Sequence, residues 1–113
     1  PSPRSEADHA LAARLAEIIR GVNGREYAAQ PACALYLTNG DTVDYVGGTL
    51  GVPAFTVELP PLDMVHGAFM NAESDIASVF AENLPALLYL IDEARGRHAA
   101  AGLGVGGGGA SRD

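Results

Sequence analysis

The chain has no tryptophan, no lysine and a single cysteine among its 113 residues. One cysteine, Cys33, excludes an internal disulfide framework and a zinc site built from several thiolates. Cations are scarce: the 7 basic residues are all arginine and stand against 14 acidic ones, giving a net charge of −7. That balance argues against a nucleic-acid binder and against docking on anionic membranes, since both need a positive surface. A continuous apolar run of the roughly 18 residues that would mark a membrane span is also missing, so no transmembrane helix is expected. Pro1 to Asp8 is polar and acidic, unlike a secretory signal peptide. No two of His9, His66 and His98 are spaced to share a metal on one helix, and all three lie far from Cys33 in sequence. Cys33 therefore reads as a buried small apolar residue. The glycine runs at Gly47-Gly48 and Gly104–Gly109 lack the lysine of a phosphate-binding loop.

What remains is enough for one domain. Hydrophobic residues make up 48% of the chain, within the globular range. Leu11, Leu15, Ile18 and Val22 recur at helical spacing and predict an amphipathic helix from Ser5 to Gly21. Ser5 and Asp8 resemble a capping box at its start. Ala32 to Thr38, between Pro31 and Asn39-Gly40, predicts a strand ended by a turn. Asp41 is placed to cap a short helix that Gly47, Gly48 and Gly51 would break. Ala54 to Leu59 alternates, with Phe55, Val57 and Leu59 on one side and Thr56 and Glu58 on the other, and Pro60-Pro61 ends it. Residues 62–68 read as a loop. Ile76, Phe80, Leu84, Leu87 and Ile91 keep a helical period. Pro85 suggests a short helix over Glu73 to Ala81 and a second one starting near Asn83. Residues 1–101 form the structured segment and the Gly-rich residues 102–113 a disordered tail.

The order helix, strand, short helix, strand, helix predicts an α/β fold, a piece of an α/β/α sandwich. Two strands are too few for a stable sheet, so the piece reads as incomplete. Glu58, near the carboxyl end of its strand, is the leading candidate for a general base; the competing reading is a solvated residue on the polar side of an edge strand. Tyr36, Thr38, Asn39, Asp41, Thr42 and Asp44 cluster about a glycine turn, which suits either ligand contact or ordinary capping.

A series of spacings links these residues. Tyr36 is followed by Asn39-Gly40, Asp44-Tyr45, Gly51-Val52-Pro53 and Phe55-Thr56-Val57-Glu58-Leu59. With Phe69 to Ile76 and Asn83 to Ala94, this series resembles the C-terminal part of the zinc metallocarboxypeptidases of the carboxypeptidase A/B type, in their bacterial form. The resemblance covers Asp8 to Ala94. It implies the C-terminal portion of an α/β/α sandwich with a mixed sheet, and an exopeptidase that hydrolyses the last peptide bond of peptides and proteins by attack of a zinc-bound water. Glu58 matches the family's catalytic base and Tyr36 the tyrosine that closes over the terminal carboxylate. Val43 matches the base of the pocket for the terminal side chain, and Thr56 lines it. Asp41 stands where an acid in some bacterial members accepts basic termini. The family's His-x-x-Glu zinc ligands, its later histidine and its carboxylate-binding arginines have no counterpart here. The cofactor implied is therefore zinc held by ligands outside this chain, and the chain alone is expected to be inactive. Tyr45 stands for the usual Trp and Ala72 for the usual Pro.

The partners implied are peptide C-termini and the missing N-terminal part of the same domain, with no nucleic acid and no membrane; the family implies secretion. A non-catalytic relic or interaction module is the alternative, and a zinc amidohydrolase of the related deacylase type is a third reading.

Overall fold

A computed structural model describes residues 3–35, 37, 40–60 and 71–104. Among them the chain forms two long helices, α1 over Pro3–Asn23 and α2 over Ile76–Gly104, joined by short helical turns and extended backbone. The turns are a 3₁₀ turn at Ala32–Ala34, a π-helical turn at Asp44–Thr49 and a 3₁₀ turn at Glu73–Asp75 that leads into α2.

Helix α1 matches the expected amphipathic helix, extended at both ends. Proline is at ease in its first turn, where its missing N–H has no partner to lose. Glu6 near the start and Arg20 near the end both suit the helix dipole. Leu11, Leu15 and Ile19 are its buried residues, and Ile18 packs beside them, whereas Val22 is largely exposed. The buried stripe therefore follows a spacing of four. Gly24 ends the helix in the left-handed region at φ 81°, and its N–H donates to the Arg20 carbonyl at 2.8 Å.

The expected α/β architecture is corrected. The described residues contain no strand and no sheet, and the molecule is a small helical protein rather than an α/β/α sandwich with a mixed sheet. The segment expected as a strand from Ala32 turns at once into a 3₁₀ turn, with Leu35 donating to the Ala32 carbonyl at 3.0 Å. Ala54 to Leu59 has the course of an isolated segment without strand pairing. The physical reason is common to both. A strand exists through hydrogen bonds to a neighbour, and two short proline-bounded segments offer each other too few.

Pro85 is also reassigned. The two helices expected around it are one, with Pro85 inside α2. Its ring removes the N–H that would bond the Ala81 carbonyl, and both residues are exposed, so water can satisfy that carbonyl. The helix extends to Gly104, past the expected start of the tail; residues 105–113 and the loop expected at 62–68 lie outside the described residues.

The core is small: Leu15, Ile19 and Ala86, with Ile18, Tyr27, Phe55, Tyr89 and Leu90 packed against it. The Cα radius of gyration is 18.5 Å, against about 13 Å for a compact domain of this length. Many large apolar side chains stay exposed, among them Leu37, Val52, Val57, Leu59, Phe80 and Ile91. The helical stretch Glu73–Gly102, made of the preceding 3₁₀ turn and most of α2, is long and apolar enough to cross a membrane by length and composition, with mean hydropathy 1.2. Length and composition alone do not separate a span from a helix whose apolar face meets protein.

Candidate functional site

Residues 40–59 carry four of the five site residues expected from sequence; Tyr36, the fifth, lies outside the described residues, as do Thr38 and Asn39. The turn that opens this stretch is built from local hydrogen bonds. Asp41 Oδ1 accepts from the Asp44 amide at 2.7 Å, and Asp44 Oδ2 accepts from the Gly40 amide at 3.0 Å. Gly40 sits at φ 82°, a conformation glycine adopts without steric cost, which lets its N–H turn toward Asp44. The Asp41 carbonyl accepts from Tyr45 at 3.2 Å, the Tyr45 carbonyl from Leu50 at 3.1 Å, and the Val46 carbonyl from Val52 at 3.1 Å. Asp41 thus caps the short helical turn, as its position suggests, but the turn continues in π-helical form through Gly47 and Gly48 to Thr49. Gly51, at φ 74°, then redirects the backbone.

From there the chain runs extended. Val43 is half-buried, and Thr56 and Glu58 are exposed. Of the apolar set Phe55, Val57 and Leu59, only Phe55 reaches the core. The alternation seen in the sequence is therefore only partly used by the packing. Cys33 is exposed, contrary to the expected buried residue. Among the described residues no group of three or more His, Cys, Asp or Glu is placed to hold a metal ion.

The most elaborate polar arrangement lies elsewhere. Glu82, on the α1-facing side of α2, is 0% exposed. Its Oε2 accepts from Asn23 Nδ2 at 2.5 Å and from Arg25 Nε at 2.9 Å, and its Oε1 accepts from the Tyr27 hydroxyl at 2.9 Å. Asn83 Nδ2 donates in turn to the Tyr27 hydroxyl at 3.2 Å and to the Val79 carbonyl at 2.9 Å. Burial by itself pushes the Glu82 carboxyl up. The hydrogen bonds from Asn23, Tyr27 and Arg25, with the Arg25 charge, outweigh it and hold the group below the ordinary glutamate range. Burial pushes the Tyr27 phenol up, and the neighbouring Glu82 carboxylate adds to that, while Asn83 and Arg25 work against it.

Sequence reasoning passed over this cluster. The available signal was a Glu82-Asn83 pair inside the apolar run from Ile76 to Ile91, polar residues where a core-facing side would be apolar. Every lone pair engaged here is answered within the chain, and no buried side-chain polar atom among the described residues is left without a partner. The cluster ties residues 23–27 to α2.

A shallow groove of about 330 Å³ runs between the outer parts of the two helices, lined by Ala7, Ala10, Leu11, Arg14, Tyr89, Glu93 and Arg97. Arg14 lies 5.8 Å from the Tyr89 ring centroid and pairs with Glu17 at 3.1 Å. None of the residues of the 40–59 stretch lines it. No protein-family model and no curated protein matches this sequence, and no solved structure matches its fold.

Proposed function

We propose that this chain is part of a zinc-dependent exopeptidase that removes residues from peptide C-termini, with Glu58 as its general base. The observation that carries the proposal is the residue series Asn39-Gly40, Asp44-Tyr45, Gly51-Val52-Pro53 and Phe55-Thr56-Val57-Glu58-Leu59, which keeps the order and spacing of the zinc carboxypeptidases. The exposure of Thr56 and Glu58 on extended backbone supports it, because a general base must be reachable by substrate and water. In this role the Glu58 carboxylate takes a proton from the attacking water and returns it to the leaving amine. Thr56 and Val43 border the terminal side chain, Asp41 favours basic termini, and the Tyr36 hydroxyl meets the terminal carboxylate. The metal ligands and the carboxylate-binding arginines would come from sequence outside this chain, which alone is inactive. The resemblance implies secretion of the parent enzyme.

The coding sequence upstream of Pro1 tests this reading. An open frame with His-x-x-Glu and a later histidine is the expected result. Glu58→Gln in that longer protein should then abolish hydrolysis while the zinc content stays unchanged. A stop codon and a start at Pro1 would overturn it. The exposed apolar side chains of α2 favour a second reading, a non-catalytic interaction module, which predicts partner binding that Glu58→Gln leaves intact in a protein without hydrolytic activity.

A further inference from the structure

Helix α2 has two apolar faces and α1 covers one. Glu82, Ala86, Tyr89 and Leu90 are the α2 residues that meet α1 or the small core beneath it. On the opposite face Ile76, Phe80, Leu84, Leu87 and Ile91 form a stripe at spacings of four and three, with Leu88 at its edge. Phe80 is 60% exposed, Leu87 48% and Ile91 55%. The stripe spans roughly 22 Å of helix at 1.5 Å per residue. An exposed apolar face of this length marks an interaction surface.

The charges at its ends identify the occupant. Glu73 precedes the stripe, and Arg95 and His98 follow it on the same side of the helix by the 3.6-residue period; all three are exposed. Arg95 pairs with the exposed Asp92 at 3.5 Å, a contact of little energetic weight. One end of the stripe is therefore acidic and the other basic. We infer that this face is a homodimer interface in which α2 packs antiparallel on α2 of a second copy, about a two-fold axis passing between Pro85 and Ala86.

In that register Phe80 lies opposite Ile91 and Leu84 opposite Leu87. Ile76 meets the aliphatic stem of Arg95, and Glu73 meets His98 and the Arg95 guanidinium, twice over by symmetry. A parallel pair would set Glu73 against Glu73 and Arg95 against Arg95. An anionic lipid surface would leave Glu73 without a cation. Glu58 and its neighbours lie on another segment, so the interface does not involve them; burial of this face by a further part of the same chain would overturn the inference.

Sedimentation equilibrium of the 113-residue chain tests it. The expected result is a concentration-dependent monomer–dimer equilibrium. Phe80→Glu should weaken it about a hundredfold, with helicity by circular dichroism unchanged because Phe80 faces away from α1. Glu73→Arg should weaken it about tenfold, and adding Arg95→Glu and His98→Glu to the same chain should restore it. These three positions are exposed, so they decide the matter if Phe80→Glu disturbs folding. Mixing Leu84→Cys and Leu87→Cys chains, both with Cys33→Ser, should give a mixed disulfide under oxidation. A monomer at every concentration overturns the inference, as does a dimer indifferent to both Phe80→Glu and Glu73→Arg. A monomer that instead floats with phosphatidylcholine vesicles overturns it in favour of lipid.

Discussion

The helix pair and the stretch from Gly40 to Leu59 solve the same problem in opposite ways. Between α1 and α2 a fully buried carboxylate gathers donors from three residues distant in sequence, and an apolar seam of Leu11, Leu15, Ile19 and Ala86 accompanies it. In the 40–59 stretch hydrogen bonds such as Val52 to Val46 and Asp44 to Asp41 join near neighbours along the chain, and Phe55 is the side chain that joins the core. Long-range contacts make stability cooperative, while local ones leave a segment exposed and adaptable. The difference separates where this chain is held from where the proposed chemistry would happen.

The comparison can be broken first at Glu58. In the longer enzyme that the exopeptidase proposal calls for, Glu58→Gln should lower kcat by about a thousandfold and leave the thermal midpoint where it was, because Glu58 is exposed and outside the core. Loss of stability comparable to the loss of activity would erase the distinction. Arg25→Met attacks the other region. Arg25 is the cationic partner of the buried Glu82, and removing it leaves that charge with neutral donors only. A cost of about 2–3 kcal/mol is expected, below that of a wholly enclosed pair because Arg25 is itself partly solvated. Urea unfolding followed by circular dichroism would read it, and an unchanged midpoint would show that the cluster is not what holds α1 to α2.

Acid sharpens the contrast. The folded chain holds the Glu82 carboxyl below its ordinary value of 4.5, so the unfolded chain takes up the proton first as pH falls. The stabilisation is complete above that ordinary value and drains away as pH falls through the lower folded value. Unfolding midpoints measured across this range should decline in the native chain and decline less in Glu82→Gln. The smallest effect is expected at Gly24. Its φ of 81° and its bond to the Arg20 carbonyl turn the chain so that Arg25 and Tyr27 reach Glu82. Gly24→Ala should cost about 1 kcal/mol by the left-handed penalty alone, although a Cβ there would meet open space.

The sequence made α1 legible because Leu11 and Leu15 repeat at helical spacing and nothing inside the run opposes it. It made Asp41 legible as a cap, because a carboxylate three residues before an amide closes a ring within the local chain. The two strands were misread for a reason that also explains the site. Alternation at Phe55 to Leu59 specifies which sides a strand would have, but a strand needs a neighbour, and periodicity says nothing about who that neighbour is. Glu82 stayed hidden because its partners sit on residues 23–27, more than fifty positions away. A polar residue in an apolar run announces an anomaly without naming what resolves it.

Pro85 has a consequence for how α2 opens. Helical order spreads residue by residue because each new bond rests on the last, and a residue that cannot donate interrupts the relay. Glu82 anchors the half before the interruption, and Ala86, Tyr89 and Leu90 anchor the half after it. Amide hydrogen exchange should therefore divide α2 into two blocks with separate protection, and fraying that starts beyond Arg95 should halt before it reaches the carboxylate that binds the helices together.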